Sequence, residues 1–484
     1  MQGREMIGRM ENSIFLQLMI VIGFVSFITT QVYAHPKVDV NIISSGHVPN
    51  RRHHVPKHKA SPPLATANAS TTHVYHVTSY GADPTGKTDS TNAIIAAVSD
   101  ALNGPGSGFL INGIVNLGGA RIDLDGGNYL ISRPIQFPVP GRGNLFIQGG
   151  SLMASNEFPN DSYLIDLSLA ASTNGSDSEY YFEFVTLRDL FLNCNYRGGG
   201  IQVVKSLRIN IDNCYITHFS TVGVSVKGGH ETSIRHSTVG QHITAGGDPA
   251  ERNVTGIGIE LAGNDNSITD VVVFSAAIGI MLSGQANTIT AVHCYNKATG
   301  FGGTGIYIKL PGLAQTRIVN SYLDYTGIVA EDPVQLTISN SFFLGDAYVV
   351  FKSMKGVVSG VNIVDNMFTG SNKGIDTVQL DQTNGAFKQI DQVVIDGNNV
   401  NGMNLRSTIA RRILQGNNSL WEADFNSALV FPDLIKRAYY TFIADDATSF
   451  PVHALRNISS NKVVIQSQTT VSASVHITAD QGGP

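Results

Sequence analysis

The sequence predicts an all-β protein built as a right-handed, single-stranded parallel β-helix with an N-terminal capping helix. The main observation is a three-residue phrase that recurs nine times: an apolar residue, a spacer and, in most copies, a small polar or acidic residue. Its spacing of 20 to 34 residues, carried by short β-rich runs, indicates a solenoid whose coils bury one another's apolar faces. The phrases are Leu187–Asp189, Ile211–Asn213, Ile234–His236, Ile268–Asp270, Ile289–Ala291, Ile318–Asn320, Ile338–Asn340, Ile363–Asp365 and Ile395–Gly397.

Composition supports this fold class. Of the 484 residues, 50 are glycine and only 14% are charged, which suits many strands joined by turns. The net charge is −5, but residues 1–72 hold seven basic and three acidic residues, so residues 73–484 carry a net charge of −9. An acidic body excludes general nucleic-acid binding, and any polyanion would have to be recognised by a local basic patch.

The N-terminal residues predict a secreted protein. Residues 13–28 are apolar and uncharged, Arg4 and Arg9 precede them, and Ala34 ends a small-residue cleavage pattern, so residues 1–34 are interpreted as a signal peptide. An uncleaved anchor is the alternative, although the stretch is short for a membrane span. Residues 35–72 are rich in His and Pro and predict a disordered linker.

Six sequons support passage through a secretory pathway, and we expect glycosylation there. The three cysteines are too few for a disulfide framework; Cys194 and Cys214 lie one coil apart and could pair or remain buried thiols. No residue spacing indicates a metal site, and no cofactor is expected. The sequons are at Asn68, Asn160, Asn174, Asn253, Asn417 and Asn457.

Ordered structure is expected to begin near residue 74 with a short strand and a glycine-rich turn. A helix capped by Asp89 or Ser90 should follow to about Asn103, covering the open end of the solenoid. The β-helix with this cap is predicted over residues 73–404. Residues 405–484 lose the repeat, and alternation over Val463–Ser467 and Val471–Thr478 predicts a small β-rich extension.

The segment Tyr80–Ile94, YGADPTGKTDSTNAI, resembles the opening of the pectin-lyase-like right-handed β-helix superfamily. Together with Gly149–Leu152 and the repeats, it makes residues 72–400 similar to the plant QUARTET-type polygalacturonases. The resemblance implies a secreted enzyme, active at the cell wall, that hydrolyses α-1,4-galacturonan, with pectic polysaccharide as its partner. We expect a monomer that binds neither nucleic acid nor, after signal cleavage, membranes.

One departure from that family concerns the catalytic motifs. Ordinary polygalacturonases carry Asn-Thr-Asp, Asp-Asp, Gly-His-Gly and Arg-Ile-Lys on successive coils. This chain lacks the first and third, and its Asp445-Asp446 pair lies outside the repeats. The nearest echo of the last motif is Gly305–Lys309. The catalytic groups therefore have to be sought among other residues.

A set of strands preceding the phrases aligns outward-facing charged residues. Glu260, Met281, Lys309 and Glu331 are predicted to stack in one row, flanked by Lys227 and Lys352. The row could be a cleft floor in which lysines bind uronate carboxylates, or a ladder of cross-strand pairs that only stabilises the stack. The substrate-binding candidates are Lys227, Tyr307, Lys309 and Lys352.

Glycoside hydrolysis needs two carboxyl groups, one as acid and one to activate water. The densest acidic group in the repeats is Asp324, Glu331 and Asp332, which we expect on one exposed face beside Lys309, with Glu260 further along. These four acids are the catalytic candidates; ordinary solvated acids are the alternative. His230-Glu231 and the loop 244–255 are second choices.

Three functions remain open from the sequence. The first is a polygalacturonase-like hydrolase. The second is a pectin or rhamnogalacturonan lyase, which would need a base such as Lys309 or Arg317, often with calcium. The third is a wall protein that binds pectin without catalysis. Hydrolysis produces only new reducing ends, whereas elimination also produces an unsaturated product that absorbs ultraviolet light.

Overall fold

The computed structural model describes residues 73–169, 180–242, 254–295, 303–446, 448 and 450–482. The predicted signal peptide and linker lie outside these residues, as do Asn68, Asn174, Asn253 and most of the loop 244–255. The other three sequon asparagines, Asn160, Asn417 and Asn457, are exposed. No helix among the described residues is long and apolar enough to cross a membrane.

The described chain forms a right-handed parallel β-helix followed by an antiparallel sheet, which confirms the predicted fold class. The parallel strands, in chain order, are β1 Val74–His76, β2 Thr85–Asp89, β3 Val115–Asp123, β4 Asn128–Ile131, β5 Ile135–Gln136, β6 Arg142–Ala154, β7 Tyr163–Leu167, β8 Phe182–Asn193, β9 Gly199–Leu207, β10 Asn210–Asp212, β11 Tyr215–Thr217, β12 Val222–His230, β13 Ser233–Gly240, β14 Ile257–Leu261, β15 Ser267–Phe274, β16 Ile278–Leu282, β17 Thr288–Thr290, β18 His293–Tyr295, β19 Thr304–Ile308, β20 Thr316–Val319, β21 Tyr322–Asp324, β22 Ile328–Glu331, β23 Leu336–Ser339, β24 Phe342–Leu344, β25 Val349–Lys352, β26 Val357–Val364, β27 Met367–Thr369, β28 Val378–Asp381, β29 Gln389–Asp396 and β30 Asn399–Asn401.

Each coil contributes to three stacks, here called sheets A, B and C. In one complete coil these are represented by β10 in sheet A, β11 in sheet B and β12 in sheet C. Sheet C is a continuous parallel stack of β5, β7, β9, β12, β14, β16, β19, β22, β25 and β28. The strands β6, β8, β13 and β15 are long enough to contribute to both sheet A and sheet B.

The repeated phrase forms the corner between sheets A and B. In all nine phrases the first residue is completely buried, with 0% exposure, and stacks in the core. The third residue has a positive φ, between 48° and 68°. Asn, Asp and Gly tolerate this left-handed conformation better than other residues, which explains their frequency at the third position.

The predicted cap is the helix α1, Thr91–Leu102, preceded by Ser90. Its apolar face, which includes Ile94, Val98 and Leu102, is buried in the same core as the coils. The helix lies against β1, β3 and β5, at the N-terminal end of the stack. Burial of this face removes the first coil's apolar interior from water, and the helix has no free edge to which another strand could add.

The C-terminal residues form a four-stranded antiparallel sheet with its own core, in which Trp421 and Val475 are buried. Its last strand is one long element, where the sequence pattern predicted two shorter strands. Val430 and Phe431, between two of its strands, belong to the β-helix core. The strands are β31 Ile409–Asp424, β32 Arg437–Ala444, β33 His453–Ser459 and β34 Lys462–Asp480.

The three cysteines are buried free thiols, so of the two alternatives for Cys194 and Cys214 the structure shows unpaired side chains. Burial raises the pKa of both thiols, because the thiolate would lose its hydration. Cys214 donates a weak hydrogen bond to the carbonyl of Asp212 at 3.4 Å. These cysteines act as core residues of the coils.

Candidate functional site

The outer face of sheet C carries the row that the sequence predicted, but with a corrected register. Glu260 pairs with Met281 as expected, and Met281 then pairs with Tyr307 rather than with Lys309. Tyr307 in turn pairs with Val329, so Lys309 and Glu331 lie two residues further along their strands than predicted. Because the side-chain period of a strand is two, this shift keeps both residues facing outward.

The register depends on a stack of buried glycines at the start of the sheet C strands. Gly258, Gly279 and Gly305 lie on successive coils, and a Cβ on each of the first two would lie 2.5–2.6 Å from the carbonyl oxygen of the next. The predicted row implies that Gly256 occupies the same coil position as Gly305, whereas in the structure Gly258 occupies that position. The predicted register is wrong by two residues for this reason.

A buried acid lies at the centre of this face. Glu331, at the end of β22, is only 4% exposed. The hydroxyl of Tyr307 donates to its Oε1 at 2.5 Å, and the Nζ of Lys352 lies 3.3 Å from the same oxygen. Lys352 also donates to the Tyr307 hydroxyl at 3.2 Å. The structure therefore brings together three of the predicted site residues, as one hydrogen-bonded cluster.

The contacts in this cluster raise the pKa values of Tyr307 and Lys352. The pKa of Tyr307 is raised, first by burial and then by its hydrogen bond to Glu331, so the phenol stays protonated and acts as a donor. The pKa of Lys352 is raised by its hydrogen bond to Tyr307 and by Glu331, although partial burial opposes this. Lys352 is thus a stable cation at the centre of the outer face.

A second acid, Asp381, lies two rungs beyond Glu331, and the sequence reasoning missed it. Asp381 pairs with Lys352 across β25 and β28, just as Lys352 pairs with Glu331. The backbone N–H and hydroxyl of Thr383 both donate to the Asp381 carboxylate, at 3.1 and 2.8 Å, and lower its pKa. The coil-length spacing of Glu331, Lys352 and Asp381 was the sequence signal that could have identified it.

Glu260 forms a separate group upstream. It accepts a hydrogen bond from Ser225 at 2.8 Å and lies 3.5 Å from the Nζ of Lys227. Three rungs separate its strand from that of Glu331, or about 14 Å along the axis. Glu260 and Glu331 are therefore too distant to act on one glycosidic bond as a pair.

Asp332 is not an exposed acid, contrary to the prediction of an exposed cluster. Its side chain is completely buried and accepts four backbone hydrogen bonds from the turn that follows β25. The structure therefore gives this carboxylate the role of fixing a turn 22 to 25 residues later. The donors are the N–H groups of Met354, Lys355, Gly356 and Val357.

Asp324 is not on the same face as Glu331 either. It ends β21 on the outer side of sheet B, where its carboxylate lies 3.8 Å from His293. The chain turns at Tyr325, which has a positive φ of 57°, before it enters sheet C. Seven residues along the chain thus cross a corner of the coil, which is why proximity in sequence was misleading here.

The second-choice residues are engaged in other contacts. Glu231 forms an ion pair with Arg208 at 2.8 Å, and His230 lies 3.2 Å from the hydroxyl of Tyr180. Lys309 lies just after β19 and is exposed. Among the described residues no group of three or more His, Cys, Asp and Glu side chains could hold a metal ion.

Comparison with known proteins agrees with this architecture. Residues 74–313 match the family described as rhamnogalacturonase A/epimerase, pectate lyase-like. The chain is 58% identical over 432 residues to Polygalacturonase QRT3 of Arabidopsis thaliana, covering 89% of each protein. The structure of ORF18 from Geobacillus virus E2 shares the fold, with a TM-score of 0.51, 12% identity and coverage of 82% of this chain and 77% of that one. The chain belongs to the family of QRT3-type polygalacturonases, within the pectate-lyase-like β-helix proteins.

Proposed function

We propose that this protein is a pectin-degrading glycoside hydrolase that cleaves α-1,4-galacturonan on the outer face of sheet C, with Glu331 and Asp381 as its catalytic pair. The name of its relative, a polygalacturonase, supports the reaction class. The observation that carries the proposal is the cluster of Glu331, Tyr307 and Lys352 on an outward face. Burying a carboxylate is costly unless it is paired, and such clusters concentrate at functional sites.

The spacing of the two acids supports an inverting reaction. Glu331 and Asp381 lie two rungs apart on the same row, so their backbones are about 9.6 Å apart. Inverting glycosidases hold their carboxyl groups about 6.5–9.5 Å apart to admit a water molecule. A backbone separation of about 9.6 Å lies close to the upper end of this range, which favours the inverting reaction.

The roles of the acids follow from their surroundings. Asp381, ionised through its bonds to Thr383, would take a proton from the water that attacks the anomeric carbon. In the complex, the uronate carboxylate bound at Lys352 would favour the protonated form of Glu331, which would then give that proton to the glycosidic oxygen as the carbon–oxygen bond breaks. Lys352, between them, would bind the carboxylate of the uronate being cleaved.

The remaining predicted residues extend this surface. Lys309 and Lys227 would bind carboxylates of neighbouring uronates, and Tyr307 would hold Glu331 in place. Glu260, paired with Lys227, is proposed as an acid that orients the substrate upstream of the reacting bond. Lys352 itself would be a poor base for elimination, because its pKa is raised.

We further propose that the protein reaches the cell wall through the secretory pathway. The signal-peptide pattern in residues 1–34 and the exposed sequon asparagines Asn160, Asn417 and Asn457 support this. Mass spectrometry of protein purified from the extracellular medium should find glycans at these three positions and no peptide that contains Met1.

The test of catalysis is incubation of the purified full-length protein with polygalacturonate, followed by assays of reducing ends and of ultraviolet-absorbing product. We expect reducing ends only, and a loss of about a hundredfold or more in turnover for Glu331→Gln. Glu422→Gln makes the same change in an exposed ion pair with Lys462 and should leave turnover unchanged.

Three outcomes would contradict the proposal. Unsaturated product from the wild-type protein would identify a lyase. Affinity for polygalacturonate without turnover would identify a binding protein. Wild-type turnover in Glu331→Gln would show that the cluster is structural and that the catalytic groups lie elsewhere.

A further inference from the structure

A groove of about 400 Å³ opens on the outer face of sheet B, away from the row that carries Glu331. Two aromatic rings, Phe191 and Tyr215, line it and are stacked with their centroids 5.5 Å apart. Three polar side chains, Asp189, Asn213 and His236, form another part of its lining. None of these residues has a role in the proposed reaction.

The repeat itself builds this groove. The three polar residues are the left-handed third residues of consecutive phrases, at the corner between sheets A and B. The aromatic rings lie two residues after the first two of them and pair across β8 and β11. The first two coils therefore each place a polar group and a ring in register about 4.8 Å apart, and the third coil places Thr238 at the position of the ring.

The groove is accessible and polar at its rim. Phe191 is 38% exposed, and Asp189 and Asn213 are exposed side chains. The Nδ2 of Asn213 donates to the Asp189 carboxylate at 2.7 Å and the Nε of Arg188 lies 3.4 Å from its other oxygen, which leaves part of the carboxylate's capacity to accept hydrogen bonds for a ligand. Aromatic surface beside hydrogen-bonding groups is a combination that suits a sugar ring, which has apolar faces and a hydroxyl periphery.

The charge of the groove selects against a polyuronide. The described lining residues include no Lys or Arg to pair with a uronate carboxylate, whereas Asp189, which lies 3.4 Å from Arg188, can accept hydrogen bonds from neutral hydroxyls. The rest of the outward row contains no Asp, Glu, Lys or Arg and one histidine, His293. The row runs Ser151, Phe191, Tyr215, Thr238, Val272, His293, Tyr322, Phe342, Met367 and Asn399.

We infer that the groove at Phe191 and Tyr215 is an accessory binding site for a neutral glycan chain of the β-glucan class. Its volume of about 400 Å³ lies in the range of small-ligand sites, about 300–1,000 Å³. The straight row of rungs provides a linear track along which such a chain extends. The site goes beyond the proposed hydrolysis, because it would hold the protein on uncharged polymer while sheet C acts on pectin.

Calorimetry of the full-length protein with cellohexaose tests the site. The wild-type protein should bind, and Phe191→Ala should weaken binding by about tenfold or more because one wall of the groove is lost. Tyr439→Ala is the matched control, since Tyr439 is an aromatic residue that is 58% exposed on the antiparallel C-terminal sheet, away from the groove and its row. It should bind cellohexaose as the wild type does.

Two further measurements separate this site from catalysis. Phe191→Ala should retain wild-type turnover of soluble polygalacturonate, and Glu331→Gln should retain cellohexaose binding. If Phe191→Ala does not fold, Asp189→Ala, an exposed change, should still weaken binding. Absence of cellohexaose binding by the wild type, or unaltered binding in the folded groove variants, overturns the inference. Concentration-dependent dimerisation that Phe191→Ala abolishes overturns it too, because a second copy would then cover the groove.

Discussion

At the scale of single residues, the same side-chain type has three different roles within three neighbouring coils. Asp332 is buried and fixes a turn through four backbone N–H groups. Asp324 faces outward from sheet B beside His293. Asp381 lies on the outer face of sheet C and is held ionised by Thr383. Position in the coil, rather than residue type, decides which acid is available for chemistry.

The pH dependence of activity should follow the contact between Thr383 and Asp381. Hydrogen bonds from Thr383 lower the pKa of Asp381, so the proposed base stays ionised as the pH falls below the ordinary Asp range. Thr383→Val removes the hydroxyl bond and keeps the backbone one, so that pKa rises. We expect the acid limb of the kcat/KM profile on polygalacturonate to move to higher pH.

Thr448→Val is a matched control for this shift. Thr448 makes the same two bonds to Asp446, at 2.9 and 2.7 Å, beyond the β-helix, and there too the pKa of the Asp is lowered. Its profile should coincide with that of the wild type. An unmoved acid limb in Thr383→Val would remove Asp381 from the proposed role of base.

At the scale of elements, each coil is defined by two small-residue positions. The first is the left-handed residue that ends each phrase, and the second is the buried glycine that begins several sheet C strands. Gly200, Gly223, Gly258, Gly279 and Gly305 form a stack in which a Cβ would lie 2.5–3.0 Å from the carbonyl oxygen of the next coil. Close approach of backbones at this corner thus aligns the outward row that carries Tyr307.

Gly279→Ala should test this stack. The added Cβ would lie 2.5 Å from the Gly305 carbonyl oxygen, and backbone cannot move aside as a flexible side chain would. We expect a loss of about 2–3 kcal/mol in the free energy of unfolding, measured by denaturant titration. Gly312→Ala, with a φ of 88° and nothing within 4 Å, should cost only about 1 kcal/mol. Equal losses in the free energy of unfolding for the two variants would contradict a steric role for the glycine stack.

At the scale of the whole molecule, the described solenoid is closed at both ends. Helix α1 covers the N-terminal coils, and the C-terminal residues supply Val430 and Phe431 to the core of the last ones. Phe431 is completely buried, its N–H bonds to Gln481, and its carbonyl accepts from Asn461. The antiparallel sheet is therefore joined to the β-helix through a shared apolar contact.

Phe431→Ala should destabilise the protein by about 3–5 kcal/mol, because it removes a buried ring and leaves a cavity in the end of the core. Thermal or denaturant unfolding of the full-length protein measures this change. Phe450→Ala removes the same ring from a position that is 92% exposed and should have little effect. A loss below about 1 kcal/mol for Phe431→Ala would mean that the C-terminal residues do not close the stack.

The sequence by itself determined the coil. The phrase combines a core residue such as Ile211 with a left-handed residue such as Asn213, and the two-residue period of strands identifies which side chains face outward. The family resemblance and the capping helix were also available from the sequence. These features are local, because φ preference and alternation depend on a residue and its near neighbours.

Only the tertiary structure decided the neighbours of each side chain. The observed strand register differs from the predicted one by two residues. Lys309 therefore still faces outward, but Tyr307 rather than Lys309 lies in the row of Glu260. Glu331 contacts Tyr307 and Lys352, and Asp332 holds the turn after β25. These contacts join residues 21 to 25 positions apart, on different coils. Register between coils depends on how buried backbones fit against one another across a loop of variable length, which no local pattern records.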